Sequence, residues 1–307
     1  MEVKTSISVI ITCYREGELI LDAVNSVLNQ SQLPLEILIV NDASSDQATI
    51  AVCQKLEQNP LIQVIWRVTN GGPSVARDDG FRVAQGEILV PLDADDLLPA
   101  NALALIANAF QNTPDAGFVY GNYVRQEKAD AVDIEINTGD ISLQSTLRAK
   151  PFSLSTNWRL HGSSPLRRSL WQAIGGYDPE FGADDLHDVE FWIRAIASGC
   201  NYTYIPEVIY TWRKYLGNNS KRVTPMSWYR IAKKYFSIYE DMGLTYRAYE
   251  LLLLGSKWLN NQEEIQIYSK EIKRCICQGK FQFSTFIVLG IPVTLLQSLS
   301  KRMSKKR

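Results

Sequence analysis

The sequence predicts an α/β fold, a doubly wound sheet flanked by helices, continued at its C-terminal end by helices alone. Three observations carry this expectation. Apolar β-branched runs alternate with segments of helical period between residues 6 and 96, the pattern of a sheet whose strands are joined by helical crossovers. After residue 220 only the helical period remains. The charge balance turns over at the same place: residues 1–220 hold 27 acidic against 16 basic side chains, and residues 221–307 hold 6 against 16. The net charge of −1 over 307 residues, 46% of them hydrophobic, therefore hides two parts suited to different partners. Domains are expected at 1–220 and 221–307.

The elements follow in order. Residues 6–13 form the first β-branched run, the mark of a strand buried on both faces. Residues 16–30 carry Leu19, Ile20, Ala23, Val24, Val27 and Leu28 at helical spacing. Residues 35–40 are the second strand, closed by Asn41-Asp42. A helix through Thr49, Val52 and Leu56 leads to a third strand at 62–68. The turn Asn70-Gly71-Gly72-Pro73 opens a helix over 74–84, and residues 87–92 form a fourth strand ending at Asp93-Ala94-Asp95-Asp96. Residues 123–160 show no sustained period. Helices are expected again near 166–174, stopped by Gly175-Gly176, and over 185–199. Beyond 220, Trp228, Ile231, Tyr235, Phe236 and Tyr239 repeat helically, as do Leu251, Leu254, Trp258 and Leu259. No window reaches the roughly 20 uninterrupted apolar residues of a spanning helix.

Several function classes are disfavoured. Cys13, Cys53, Cys200, Cys275 and Cys277 are too scattered for a disulfide framework or a zinc site, and reduced, mostly buried thiols are expected. Glu2 and Lys4 precede the first strand in place of a secretory leader, so a cytoplasmic location is expected. Cys13-Tyr14-Arg15-Glu16 follows the first strand where a dinucleotide fold needs Gly-x-Gly-x-x-Gly. There is no Gly-x-x-x-x-Gly-Lys phosphate loop, and no glycine-rich basic loop of the uridylyltransferase kind. Nothing points to nucleic acid.

In an open α/β sheet, ligands collect beyond the carboxyl ends of the strands. Asp42 stands at one such end, as a ligand-binding residue or as a turn former; Ser44-Ser45-Asp46 could cap the next helix without it. Asp93, Asp95 and Asp96 put three carboxylates within four residues, which repel one another unless a cation or solvent neutralises them. Oxygen ligands alone favour magnesium or manganese, and such a metal would bridge an acidic site to a diphosphate. Arg77 is either a cation facing that diphosphate or a solvated helix arginine. Asp188 shares a helix face with Phe191, Trp192 and Ala195, where a carboxylate needs work or a partner. It is assigned here as the catalytic group, the structural alternative being a pair with Arg167 or Arg168. Glu190 and Arg194 form an i,i+4 pair on another face, expected in solvent. His187 is also expected to be exposed, with tuning of Asp188 or metal binding as its functional reading. His161 stands before Gly162 and is not assigned a role.

Together these segments resemble the family 2 glycosyltransferases over residues 6–220. Ser8-Val9-Ile10-Ile11-Thr12-Cys13-Tyr14 is similar to the family's opening strand, without its common proline. Asn70-Gly71-Gly72 and Ala76-Arg77-Asp78-Asp79-Gly80 resemble its Asn-x-Gly and Ala-Arg-Asn-x-Gly segment, and Gly86-Glu87 through Asp93-Ala94-Asp95-Asp96 its metal motif. Gly175-Gly176-Tyr177-Asp178 followed by His187-Asp188 resembles the segment with the catalytic base, His187 replacing the family's usual Glu. The resemblance implies a GT-A-type mixed sheet and an inverting, hexosyltransferase-type enzyme of polysaccharide biosynthesis. Thr12, Tyr14, Asp42, Arg77 and Asp93 would bind a nucleotide-sugar donor, a UDP-sugar first. Asp93 and Asp95 would hold manganese or magnesium, and Asp188 would be the base acting on a glycan or lipid-linked acceptor.

Two alternatives accompany that reading. One is a glycosyltransferase-like binding protein without turnover, disfavoured by the retention of all four aspartates. The other is a polysaccharide synthase subunit, disfavoured because Gln-x-x-Arg-Trp and spanning helices are lacking and Thr211-Trp212-Arg213 is no substitute. The tail adds an expectation that the resemblance does not supply. Residues 281–299 are mostly apolar, broken by Gly290 and Pro292, and the last seven residues hold five cations. Either the run packs on the preceding helices, or it lies on an anionic membrane, each cation contributing about 1 kcal/mol. The latter would put the chain at the inner face of the plasma membrane.

Overall fold

The computed structural model describes residues 5–129, 132–148, 160, 162–181, 186–216 and 225–304. The chain divides into two compact units, Met1–Ile141 with Asn157–Ser220, and Ser142–Thr156 with Lys221–Arg307. Residues 142–156, inside the first part by sequence, thus group with the second unit.

The first unit is built on one sheet of eight strands: β1 (Ile7–Cys13), β2 (Glu36–Asn41), β3 (Ile62–Trp66), β4 (Ile88–Asp93), β5 (Ala116–Arg125), β6 (Ile134–Ile136), β7 (Leu166–Arg167) and β8 (Asn201–Trp212). Their order is β3-β2-β1-β4-β7-β5-β6, with β8 also paired to β5. The first four strands are parallel, β7 runs antiparallel to β4 and β5, and β8 is parallel to β5. The helices of this unit are α1 (Leu19–Leu28), α2 (Gln47–Leu56), α3 (Pro73–Val83), α4 (Ala102–Asn112), α6 (Arg168–Ile174) and α7 (His187–Ala197), while α5 (Leu143–Leu147) belongs to the other unit.

β1 shows why this sheet is buried on both faces. Its alternate side chains Ile7, Val9 and Ile11 join Ile20 and Val24 of α1 and Leu103, Ile106 and Phe110 of α4 in one apolar layer. Ile10 points the other way, into a layer with Phe81 of α3, Phe118 of β5 and Phe191 and Trp192 of α7. Each such side chain contributes about 1.5–3 kcal/mol on burial, which fixes the strand register. The chain winds outward from β1 to β3 and returns to place β4 on the other side of β1. That reversal opens a crevice beyond the carboxyl ends of β1 and β4, where Thr12 lies beside Asp93.

Two sequence expectations change here. The predicted helix at 166–174 begins as β7, because Leu166 pairs with Leu89 and Phe118 and the helix proper starts at Arg168. The stretch without sustained period contains the end of β5 and all of β6, and β8 was not anticipated. β5 and β8 pair with register shifts around Gly121, Asn122 and Tyr123, which break the alternation that would have marked them.

The second unit is helical: α8 (Pro225–Lys234), α9 (Phe236–Asp241), α10 (Thr245–Leu259), α11 (Gln262–Cys277), α12 (Phe283–Gly290) and α13 (Val293–Ser304). α10 is buried nearly all round, and its Leu253 and Leu254 pack with Ile272, Val288 and Leu296 of the last three helices.

Candidate active site

The expected site residues converge at the crevice beyond β1, β2 and β4. Thr12 lies near the end of β1 and Tyr14 just past it, Asp42 follows β2, and Asp93 closes β4. Arg77 sits mid-α3 and Asp188 in the first turn of α7.

Arg77 is the centre of the arrangement. It is 2% exposed, so the solvated alternative is overturned. Its Nη2 donates to Asp93 Oδ1 at 2.6 Å and its Nη1 to Asp188 Oδ1 at 2.8 Å. Burial alone would pull its pKa down, but the charges of Asp93 and then Asp188 outweigh it and raise it well above the ordinary value. One guanidinium therefore ties the expected metal motif to the expected base. Asp188 pairs with Arg77 and not with the arginines suggested by sequence: Arg167 goes to Glu87 and Arg168 to the Ala84 carbonyl. His187 is also corrected. Its side chain is mostly buried, with Nε2 3.0 Å from Asp188 Oδ1 and its ring near Tyr177. His161 lies outside the described residues.

Gly162 leaves the room this cluster needs. A Cβ there would lie 2.4 Å from Arg77 Nη1 and 2.6 Å from Asp188 Oδ2, so one of these side-chain ends would have to shift. Asp78, next to Arg77, fixes the other side of α3 by accepting from Trp171 Nε1 at 2.8 Å and from the Tyr177 amide. The Glu190–Arg194 pair is not in solvent as expected. Glu190 is fully buried, and Arg194 reaches it at 2.6 Å while donating to the carbonyls of Ile174 and Gly176, which draws the pair inward.

Asp42 organises the turn before α3. Its carboxylate accepts from the amides of Gly71 at 2.9 Å and Gly72 at 2.8 Å and pairs with Arg67. Gly72 has φ 81°, a left-handed conformation that glycine takes without strain. The cap of α2 is Asp46, which accepts from the Thr49 amide and hydroxyl, so Asp42 is not spent on that helix. Tyr14 is half-buried, with the Arg15 guanidinium 4.8 Å from its ring centre.

The acidic loop after β4 separates into different roles. Asp96 is buried and accepts from the Tyr210 hydroxyl and the Arg213 amide, anchoring the loop to the end of β8. Asp95 is half-buried, and burial followed by the charges of Asp93 and Glu16 pushes its pKa up to about 7. Arg213, which the sequence did not single out as functional, is buried here: Nε donates to the Asp95 carbonyl, Nη1 pairs with Asp22, and Nη2 has no hydrogen-bond partner among the described residues. Among the described residues no three His, Cys, Asp or Glu side chains form a complete metal shell. Asp93, which also carries the Arg77 pair, and Asp95 supply oxygen donors of the kind a hard cation takes, the rest of its shell being left to phosphate and water.

Comparisons with known proteins bear on the family and the fold. The family model for glycosyl transferase family 2 matches residues 8–170. Glycosyltransferase GlyG of Streptococcus pneumoniae is 22% identical over 75% of this chain and 78% of its own. A poly-beta-1,6-N-acetyl-D-glucosamine synthase of Staphylococcus epidermidis is 26% identical over 66% of this chain, which spans 51% of that protein's length. The crystal structure of S. aureus TarS 1-349 in complex with UDP-GlcNAc aligns at TM-score 0.58 and 18% identity, over 81% of this chain and 70% of that one. That likeness carries the fold, a GT-A-type mixed sheet flanked by helices.

Proposed function

The chain belongs to glycosyl transferase family 2, and on that premise we propose that this glycosyltransferase moves a single sugar from a UDP-sugar to a hydroxyl of a glycan or lipid-linked acceptor, inverting the anomeric carbon. The observation that carries the reading is the Arg77 bridge, which joins Asp93 to Asp188 at hydrogen-bond distance. A carboxylate held there, at the opening turn of α7, supports the role of general base toward an incoming hydroxyl.

The acceptor oxygen attacks the anomeric carbon as its proton passes to the Asp188 carboxylate. The bond from that carbon to the diphosphate oxygen breaks, and UDP leaves with the electron pair from the opposite face. Thr12, Tyr14 and Asp42 would hold the nucleoside, Asp42 through the turn it organises. Arg77 would keep the base oriented, its rigid fork serving two carboxylates at once. Manganese or magnesium held by Asp95 and Asp93 would supply Lewis-acid stabilisation of the charge on the departing diphosphate.

A screen of UDP-sugars with acceptor glycans in manganese, with UDP-GlcNAc first, tests the reading. A β-linked product from an α-linked donor is expected. Retained anomeric configuration would refute inversion, and no donor cleavage with any sugar would favour a binding protein. The likeness to a polysaccharide synthase supports a second reading, as a synthase subunit, which products longer than one added sugar would establish.

A further inference from the structure

The last two helices present a surface made of residues that have no part in the proposed transfer step. α12 is fixed from the inside at both ends. Ser284 and Thr285 donate to the buried Glu250, and Lys257 Nζ reaches the carbonyls of Val288, Leu289 and Ile291 at 2.8, 2.8 and 2.9 Å. Val288 and, on α13, Leu296 enter the core of the unit. The inner face therefore packs as an ordinary soluble helix does.

The outer face does not. Phe283 is 82% exposed, and Phe281, Phe286, Ile287, Leu295 and Leu299 are each 42–50% exposed. Phe283, Phe286 and Ile287 stand at i, i+3 and i+4, on one side of the helix. The axes of α12 and α13 bend by 82°, and among the described residues no single helix is long and apolar enough to cross a membrane. Residues 281–307 contain no acidic side chain, and five cations follow Ser300. An exposed apolar ridge of this kind marks an interaction surface. A second copy of the chain would bring the same cations against itself, whereas an anionic bilayer takes the rings at its acyl boundary and the cations among its headgroups.

We propose that the outer face of α12 and α13, with the cationic tail, is a docking surface for an anionic lipid bilayer. It goes beyond the transfer reaction and does not depend on it. The test uses the full chain with sedimented vesicles of phosphatidylcholine mixed with phosphatidylglycerol, and of phosphatidylcholine alone. Binding is expected to the mixed vesicles, to fall with salt, and to weaken by about five-fold for each cation removed in K305A, K306A and R307A. Joint F283D and F286D substitutions should weaken it by about ten-fold or more, while donor turnover without vesicles and thermal unfolding stay unchanged. Equal binding to both vesicle types, or undiminished binding of the double variant, would overturn the proposal. So would a dimer in vesicle-free solution that F283D dissolves, which would give this face to a second copy.

Discussion

Replacing Arg77 by alanine removes a side chain that touches both Asp93 and Asp188, and its cost follows from the burial of the three groups. Losing one partner of a fully buried ion pair costs about 3–5 kcal/mol because the remaining charge stays desolvated. Arg77 is buried, but the side chains of Asp93 and Asp188 retain 37% and 27% exposure, so solvent relieves part of that loss. The expected destabilisation is therefore about 2–4 kcal/mol, read as a shift of the urea midpoint at unchanged slope. Turnover should fall further than stability implies, by about 10²-fold, because an unpinned base moves out of line with its hydroxyl. Arg77→Lys restores a charge without the fork, so it should regain part of the stability and little of the turnover. An Arg77→Ala protein with wild-type midpoint and wild-type kcat would refute the bridge as the organiser of the site.

Gly162→Ala should lower kcat by about ten-fold or more at a cost of about 1–3 kcal/mol, since the added methyl must displace Arg77 or Asp188; unaltered kinetics would show that the cluster has slack. Asp95→Asn should abolish transfer and weaken UDP binding in manganese, and EDTA should do the same to the wild type; full activity in EDTA would remove the metal from the account. Glu190→Ala should cost about 3–5 kcal/mol by stranding Arg194 in a largely buried position, measured by urea unfolding, where a loss below about 1 kcal/mol would return the pair to solvent.

The sheet was legible where its strands are buried on both faces. β1, β2 and β4 read as near-continuous apolar runs, β3 as a shorter run broken by the exposed Gln63, and Asp93 and Asp95 were visible at a strand end because no core position accounts for them. β8 was not legible: Pro206 and Glu207 interrupt its aromatic alternation, and the shifts in its pairing with β5 displace the remainder. The site was legible as a set of residue types and not as a network. Arg77 meets Asp93 16 positions away and Asp188 111 away, a separation that no local period records. Glu190 and Arg194 have the spacing of a solvated pair, and only the carbonyls of Ile174 and Gly176 show why they are drawn inside. Asp96 read only as one of three crowded carboxylates, because its partners, Tyr210 on β8 and Arg213 just past that strand's end, lie more than a hundred positions away.

In the proposed mechanism Asp188 takes the acceptor's proton, and its replacement by asparagine isolates that step. Asp188→Asn is nearly isosteric and keeps an oxygen facing Arg77 while losing the basic carboxylate. UDP release from a UDP-sugar in manganese, with and without acceptor, is measured beside UDP affinity and urea unfolding. The variant is expected to fold with only a modest loss of stability and near-wild-type UDP affinity, with a kcat lower by about 10²–10⁴-fold. A variant that folds, binds UDP and turns over at the wild-type rate would contradict the proposed mechanism.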